Sequence, residues 1–407
     1  MQTDFHPQET FMRRAFELAA LGRGYVSPNP MVGCVIVFQD RIIGEGFHHQ
    51  YGEAHAEVNA INSVLAPNAT VATLCQQTGL KPEDLLRQST LYVSLEPCAH
   101  YGKTPPCAKK IIETGIPRVV VSCGDPNPEV NGKGIQMLRE AGVEVHEHFL
   151  EQEGMETFRR FFTHVTKNRP YVILKWAQSS DGYLSRSQGK PCLITGKSLQ
   201  VLNHAYRVEE DAIMVGTGTI LADNPRLNAR MFRGKQPLRV STDLHGKILK
   251  YIHTYLTENG LPDKPSPELA GKLPLRFFDR TQRTLLFVDG TRFDEYRFLA
   301  DWPGLGDESL KIVPVKVTTA WPEMAAAYLR GLQKERIGSL IVEGGAALLQ
   351  SFIVGDHWDE IRVFISDKDL GGGYAAPRIP PSKPYSFAQY GSEWVHVYRN
   401  KASDRLI

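Results

Sequence analysis

The sequence predicts an α/β protein of two domains, and three observations carry that reading. Apolar runs of strand length, rich in Val and Ile, alternate with amphipathic helical stretches along the whole chain. A length of 407 residues favours more than one core. The alternation also restarts after Arg169-Pro170, behind a charged helical stretch.

Taken in order, Phe11 to Leu21 is a helix with Phe11, Ala15, Leu18 and Ala19 on one side and Arg13, Arg14 and Glu17 on the other. After the rigid turn Ser27-Pro28-Asn29-Pro30, Met31 to Phe38 reads as a buried strand paired with Arg41 to Phe47. A helix opens near His55. Residues 66–89 read as an inserted surface segment with a short helix over 81–87. Strand Thr90–Leu95, helix Cys107–Thr114, strand Val119–Ser122, helix Gly134–Ala141 and strand Val143–His146 complete a first domain, 1–150.

Residues 151–170 read as a linker helix with Phe158, Phe161 and Phe162 on one face, and 171–407 as the second domain. There, strands are expected at Tyr171–Trp176, Ala212–Val215, Leu238–Thr242, Thr284–Val288, Leu340–Val342 and Ile361–Ile365. Helices are expected at Ser198–Glu209, Trp321–Lys334 and Ala346–Phe352. Gly216-Thr217-Gly218-Thr219 reads as a Gly-rich loop, and Lys247 to Arg280 as a long polar surface insertion.

The composition narrows the function. At 42% hydrophobic and 23% charged the chain is ordinary globular material, and its net charge of +2 is scattered. That argues against a nucleic-acid-coating surface. No apolar run is long enough to cross a bilayer, and the first ten residues lack a secretory pattern. Six Cys without framework spacing indicate a reducing compartment. The expectation is a cytoplasmic protein acting on small molecules, with no nucleic-acid or membrane partner. Cys34, Cys75, Cys123 and Cys192 read as packing residues.

The chemistry concentrates between His55 and Cys107. His55, Cys98 and Cys107 supply one imidazole and two thiols, three ligands for a tetrahedral zinc with the fourth position open to water. Glu57 is placed to move protons beside that water. This is the layout of a zinc deaminase, in which activated water attacks an amino-bearing ring carbon. His55 and Glu57 diverge by about 200° around an ideal helix, so both reach one site only at a helix start. Cys107 also stands at a helix start, where a thiol loses its proton readily. Eight residues, 99–106, lie between the two Cys, whereas the nucleobase deaminase motif has two between them.

Leu95-Glu96-Pro97-Cys98 with the following loop resembles the deaminase domain of the bifunctional riboflavin-biosynthesis deaminase/reductases. So do Ser27-Pro28-Asn29-Pro30-Met31-Val32-Gly33, Gly52-Glu53-Ala54-His55-Ala56-Glu57 and Asp125-Pro126-Asn127-Pro128. The resemblance implies a cytidine-deaminase-like three-layer domain that removes the 2-amino group of 2,5-diamino-6-(5-phosphoribosylamino)pyrimidin-4-one. By position, Asn29, His48, Lys103 and Thr104 fall near the substrate, with Asn29 and Lys103 as the stronger candidates.

In the second half, Gly216-x-Gly218 alone makes no dinucleotide fingerprint. Gly344-Gly345, after a strand and before a helix, is a place where phosphate meets backbone N–H groups. Lys175, Ser179-Ser180-Asp181-Gly182, Arg207, Asp211 to Gly216, Thr219, Ala222-Asp223-Asn224-Pro225, Arg230 and Val342-Glu343-Gly344-Gly345 resemble the reductase half of the same family. This implies a dihydrofolate-reductase-like domain that uses NADPH to reduce the ribose C1′ of the deaminated product.

By position, Ala177, Thr219, Asp223 and the turn of Gly345, Ala346, Ala347, Leu348, Leu349, Gln350 and Ser351 would contact NADPH. Arg207, Leu227, Arg230 and Glu343 would contact substrate, the two Arg suiting a sugar phosphate. Glu343 has a second reading as a buried structural carboxylate. Ser180 stands where the family usually has Leu, and Leu193 where Trp is common, so one stacking contact to nicotinamide is missing. The resemblance implies a homo-oligomer. The competing readings are a nucleoside or tRNA deaminase fused to a folate-type reductase, or a chain in which one half is a degenerate binding module.

Overall fold

The computed structural model describes residues 5–66, 68–101, 105–128, 130–186, 193–262, 271–302 and 309–404. It divides into two compact units, 1–168 and 169–406, each described here by itself. No helix among the described residues is long and apolar enough to cross a membrane.

The first unit is built on strands β1 (Gly33–Phe38), β2 (Arg41–Phe47), β3 (Thr90–Leu95), β4 (Arg118–Cys123) and β5 (Glu144–His146), ordered β2-β1-β3-β4-β5. The pairs β1/β2 and β1/β3 are antiparallel, while β3/β4 and β4/β5 are parallel. Side chains alternate across this sheet, as a period of two requires. Cys34, Ile36, Leu91 and Val93 face one core, and Val35, Val37 and Tyr92 face the other.

Helix α1 (Glu9–Ala20) covers the second of these faces through Phe11, Met12, Ala15 and Leu18. The first face is covered by α2 (Ala56–Leu65), α3 (Ala69–Thr78), α4 (Pro82–Leu86), α5 (Cys107–Thr114) and α6 (Lys133–Glu140). Helix α2 lies so close to β2 that a Cβ on Gly46 would collide with the backbone of Ala56 and Ala60. That close approach fixes the helix end that carries His55 and Glu57.

Two expectations are corrected in this unit. Residues 66–89 are not a surface insertion: Val71, Leu74, Leu85 and Leu86 are buried in the core. The short helix expected over 81–87 is present as Pro82–Leu86, while polar residues disguised the helix 69–78, which buries one narrow stripe. The helix α7 (Glu151–Thr166) is no free linker, because Phe158 and Phe162 bury against Leu95 and Cys123 of the first unit. The break therefore falls between Asn168 and Arg169.

The second unit holds β6 (Tyr171–Gln178), β7 (Tyr183–Ser185), β8 (Ala212–Val215), β9 (Leu238–Asp243), β10 (Thr284–Asp289), β11 (Leu310–Val315), β12 (Ser339–Gly344), β13 (Glu360–Ile365), β14 (Tyr374–Ala375), β15 (Ser386–Tyr390) and β16 (Glu393–Arg399). Nine of them form one sheet in the order β11-β10-β9-β8-β12-β6-β13-β16-β15. It is parallel from β11 to β13, and β16 and β15 then add antiparallel pairs. Strand β11 and the last three strands carried no clear alternation in the sequence. Every residue of β15 is exposed, so the apolar-in, polar-out signal is absent there.

Helices cover both faces of this sheet. Residues Val172, Leu174 and Trp176 of β6 pack with α12 (Trp321–Lys334) and α13 (Ala346–Val354). Residues Tyr171 and Ile173 face the opposite core. That core is closed by α10 (Lys247–Glu258) and by Leu275, Phe277 and Phe278. The span 247–280 is thus no polar insertion: Ile248, Leu249, Ile252 and Leu256 are buried one helical turn apart. Residues 263–270 lie outside the described residues. The stretch Gly216 to Thr219 is likewise not a loop but the cap and first turn of α9 (Thr217–Asp223), after α8 (Lys197–Glu209).

Replacing the fully buried Ile252 by Ala should lower unfolding free energy by about 2–5 kcal/mol in denaturant titration. A change within about 0.5 kcal/mol, the usual effect at a surface position, would mean that 247–258 packs on nothing.

Candidate active sites

In the first unit, His55 is the N-cap of α2 and Glu57 lies in its first turn. Cys98 follows the end of β3, and Cys107 begins α5. The imidazole Nδ1 of His55 lies 3.6 Å from Cys98 Sγ and 3.3 Å from Cys107 Sγ. All three donor atoms fall within 4.8 Å of one another. Ligand arms of about 2.1 and 2.3 Å at a tetrahedral angle put nitrogen and sulfur about 3.6 Å apart, so the three donors fit zinc. The Cys107 N–H points at Cys98 Sγ, 3.3 Å away. Hydrogen bonding from Cys107 holds the Cys98 thiol far down, at about 4, so Cys98 is the first thiolate of the pair.

Glu57 is buried, and its Oε2 has no hydrogen-bond partner among the described residues. Burial lifts its carboxyl to about 7. A buried, unpaired oxygen beside three metal donors fits a group whose partner is a reacting water.

A cavity of about 360 Å³ opens onto these residues, with Asn29, His48, Glu96, His100, Asp125 and Asn127 also in its wall. His48 Nδ1 is 3.1 Å from the Ala54 carbonyl, and its Nε2 is 3.4 Å from Asn29 Nδ2. Burial lowers His48, which favours the neutral ring with Nδ1–H donating to Ala54. Asn29 and His48 thus line the same cavity. Lys103 and Thr104 lie outside the described residues.

Glu96, the acid beside the Pro97-Cys98 step, is a further residue of this wall, and its place before Pro-Cys is its only mark in the sequence. Its carboxylate accepts N–H groups from Asp125 (3.3 Å), Gly132 (3.0 Å), Gly134 (2.9 Å) and Ile135 (3.3 Å). It ties the 125–135 segment to the strand end that delivers Cys98.

In the second unit, β8 and β12 are neighbours, and the strand order reverses between them: the chain runs outward from β8 to β11 and returns at β12. Such a reversal opens a crevice at the carboxyl ends of parallel strands. Gly344 needs its missing side chain there, since a Cβ would lie 2.9 Å from Thr219 Oγ1. Gly345, at φ +78°, caps α13. The exposed backbone of Gly345 to Ala347 beside Thr219 fits a cofactor phosphate.

Much of the rest of the expected turn is covered by the core. Leu348, Leu349 and Ser351 are buried in the core, and Gln350 accepts the Arg378 N–H at 2.9 Å. Ala177 is half-buried against the cluster of Leu199, Phe364 and Val395. Asp223, at the other end of the helix that carries Thr219, lies in the wall of the cavity described next.

That cavity, of about 470 Å³, is lined by Lys175, His204, Arg207, Asp223, Arg226, Leu227, Arg230 and Arg276, with Leu193 at its edge. Arg207 forms a fork on Glu343, Nε to Oε1 at 2.8 Å and Nη2 to Oε2 at 2.6 Å. Its Nη1 donates to the Asn228 carbonyl at 2.9 Å. Burial alone would raise Glu343, yet the Arg207 guanidinium holds it at about 2. Each nitrogen of Arg207 is therefore engaged, two of them on Glu343.

Burial pushes Lys175 down to about 8, against the pull of Glu343, and its Nζ sits 4.2 Å from the Phe364 ring centre. His204 is buried and lowered to about 4 by burial and by Arg207 and Arg230. Lys175 and His204 carry no periodic or spacing signal, and Arg276 fell in the supposed insertion.

A family model described as the RibD C-terminal domain matches residues 170–389, and one described as the cytidine and deoxycytidylate deaminase zinc-binding region matches 6–123. The riboflavin biosynthesis protein RibD of Aquifex aeolicus is 35% identical over 366 residues, 90% of this chain and 88% of that protein. This chain belongs to the RibD family. RibD of Bacillus amyloliquefaciens is 36% identical over 373 residues, 91% of this chain and 88% of its own.

A solved Thermotoga maritima diaminohydroxyphosphoribosylaminopyrimidine deaminase/5-amino-6-(5-phosphoribosylamino)uracil reductase superposes with a TM-score of 0.74. It is 35% identical and covers 96% of this chain and 98% of its own. RibD of Acinetobacter baumannii gives 0.72 at 29% identity, covering 95% and 97%. As a RibD family member the chain is a bifunctional deaminase/reductase of riboflavin biosynthesis, with a zinc-dependent first half and an NADPH-dependent second half. That favours the bifunctional reading over a fused tRNA or nucleoside deaminase and over a degenerate half.

The lowered Lys175 sets a pH limit. It carries its charge below about pH 8 and loses it above, where an ordinary lysine would stay charged to about 10.4. Reductase kcat/KM for the anionic substrate should therefore fall as pH rises through about 8. Lys175→Arg should flatten that fall; an unchanged profile would remove Lys175 from substrate binding.

Proposed function

We propose that this chain deaminates 2,5-diamino-6-(5-phosphoribosylamino)pyrimidin-4-one and then reduces 5-amino-6-(5-phosphoribosylamino)uracil to its ribitylamino form. The observation that carries the first step is the buried Glu57, with one unpartnered oxygen, beside three donors at zinc-ligand spacing.

His55, Cys98 and Cys107 would hold the metal. Bound zinc supplies the Lewis acidity that lets water act as a nucleophile near neutral pH. Glu57 would take the proton that this water sheds and pass it to the ring nitrogen; it would then take the proton of the hydroxyl now on the carbon and pass it to the amine, so that the C–N bond breaks, the carbonyl forms and ammonia leaves neutral. Asn29 and the neutral His48 orient the pyrimidine in the cavity, and Lys103 holds the substrate from the loop between the two Cys. Glu96 positions the wall.

In the second unit, Thr219, Asp223, Ala177 and the Gly345 to Ser351 turn would hold NADPH, the turn chiefly through backbone N–H groups of Gly345, Ala346 and Ala347. NADPH supplies the hydride. Lys175, Leu227 and Arg230 bind the phosphoribosyl substrate, and Glu343 keeps Arg207 in register beside it. The family resemblance further supports a homo-oligomer working in the cytoplasm.

The test is Glu57→Gln in the zinc-loaded full chain. Zinc content by mass spectrometry should stay at wild-type level while ammonia release falls about 10²–10⁴-fold, the usual worth of a positioned proton carrier. Retention of full ammonia release would sink the proton role of Glu57. Loss of zinc would make Glu57 a ligand rather than a proton carrier.

A further inference from the structure

Arg276 has no part in the scheme above, yet the fold places it with care. It lies in a short turn whose neighbours Leu275, Phe277 and Phe278 are buried. The Asn224 side chain accepts the Arg276 N–H at 2.7 Å and donates to the Pro274 carbonyl at 3.1 Å. From the other side, the fully buried Arg239 donates through Nη1 to the Arg276 carbonyl at 2.8 Å. The backbone of Arg276 is thereby pinned to the Asn224-Pro225-Arg226-Leu227 stretch, and its side chain enters the same cavity wall as Arg226 and Arg230.

These three guanidinium groups stand together almost without counter-charge. Among the described residues, neither Arg226 nor Arg276 pairs with a carboxylate, and Arg230 meets only the Asn228 side-chain oxygen, at 3.2 Å. The one carboxylate in the wall is Asp223. Glu343 is spent on Arg207. Three like charges converging on a cleft repel one another, and a multivalent anion between them relieves the repulsion. Guanidinium forks match the oxygens of a phosphate better than those of any singly charged group.

We propose that Arg226, Arg230 and Arg276 form a clamp for a phosphate monoester dianion, with Arg276 a determinant of specificity for the phosphorylated ligand. The assignment rests on the reductase reading of this cavity. Two ligands carry such a group: the phosphoribosyl substrate, at its 5′ end, and NADPH, on its adenosine ribose.

The experiment is steady-state NADPH oxidation by the full chain, wild type against Arg276→Ala, with 5-amino-6-(5-phosphoribosylamino)uracil and with its dephosphorylated form, and with NADPH against NADH. The expected result is a KM for the phosphorylated substrate raised about ten- to a hundredfold, the worth of a charge-assisted hydrogen bond. The KM for the dephosphorylated form should be unmoved, and Arg276→Lys should recover part of the loss. A rise in KM for NADPH but not for NADH also supports the clamp and assigns it to the cofactor.

Equal shifts for phosphorylated and dephosphorylated substrate, or no shift for any ligand, would overturn the clamp. If Arg276→Ala melts early, Arg276→Gln carries the same comparison. Absence of oxidation in the wild type would refute the reductase reading instead. The clamp is then read alone, by whether inorganic phosphate raises the melting temperature of the wild type more than that of Arg276→Ala.

Discussion

Burying the Glu57 carboxylate beside two thiols and an imidazole is the constraint around which the first unit is arranged. An unpaired buried polar oxygen costs about 1–3 kcal/mol, and the fold carries that cost instead of satisfying it internally. Several features serve to hold it in place. Gly46 lets α2 sink onto β2, which fixes the helix start. The Cys107 side chain, helped by the Cys107 N–H, favours the thiolate of Cys98. Glu96 gathers four backbone N–H groups from 125–135, so that the far wall of the cavity cannot drift from the metal. The strain-free backbone solution, a carboxylate with all its hydrogen bonds made, belongs to Glu96, and the unsatisfied one is left for the chemistry at Glu57.

The second unit distributes charge by the opposite logic. One arginine is neutralised by a buried carboxylate, and among the described residues its neighbours Arg226, Arg230 and Arg276 pair with no carboxylate. Arg207 and Glu343 form a rigid post between α8 and β12. Arg226, Arg230 and Arg276 line the cavity beyond it, and burial makes Lys175 easier to discharge than an ordinary lysine. A buried ion pair adds little stability in itself, but it fixes geometry, and removing one partner leaves the other uncompensated. The cavity is thus a preorganised anion receptor whose cations were placed during folding.

Much of this was legible in the sequence, for reasons that differ by element. Strands such as Thr90–Leu95 and Ala212–Val215 were found to the residue because both faces are buried and the run is continuous. The zinc residues were legible because metal ligation constrains residue type and order together. The helices 69–78 and 247–258 were missed because each buries one narrow stripe inside a polar segment. Arg207 and Glu343 were both singled out, but nothing in a one-dimensional pattern shows that each consumes the other. Arg276 was invisible for a related cause: its position depends on Asn224 and Arg239, which are distant in the chain. Contacts of long sequence separation leave no periodicity to read.

The central claim is that zinc at His55, Cys98 and Cys107 drives the first reaction and has no part in the second. The direct measurement is ammonia release and NADPH oxidation before and after the metal is removed by a chelator, each assayed with its own substrate, followed by zinc restoration. The account predicts that ammonia release disappears on stripping and returns with about one zinc per chain, while NADPH oxidation by the deaminated substrate continues throughout. Ammonia release that persists in the stripped protein would contradict it.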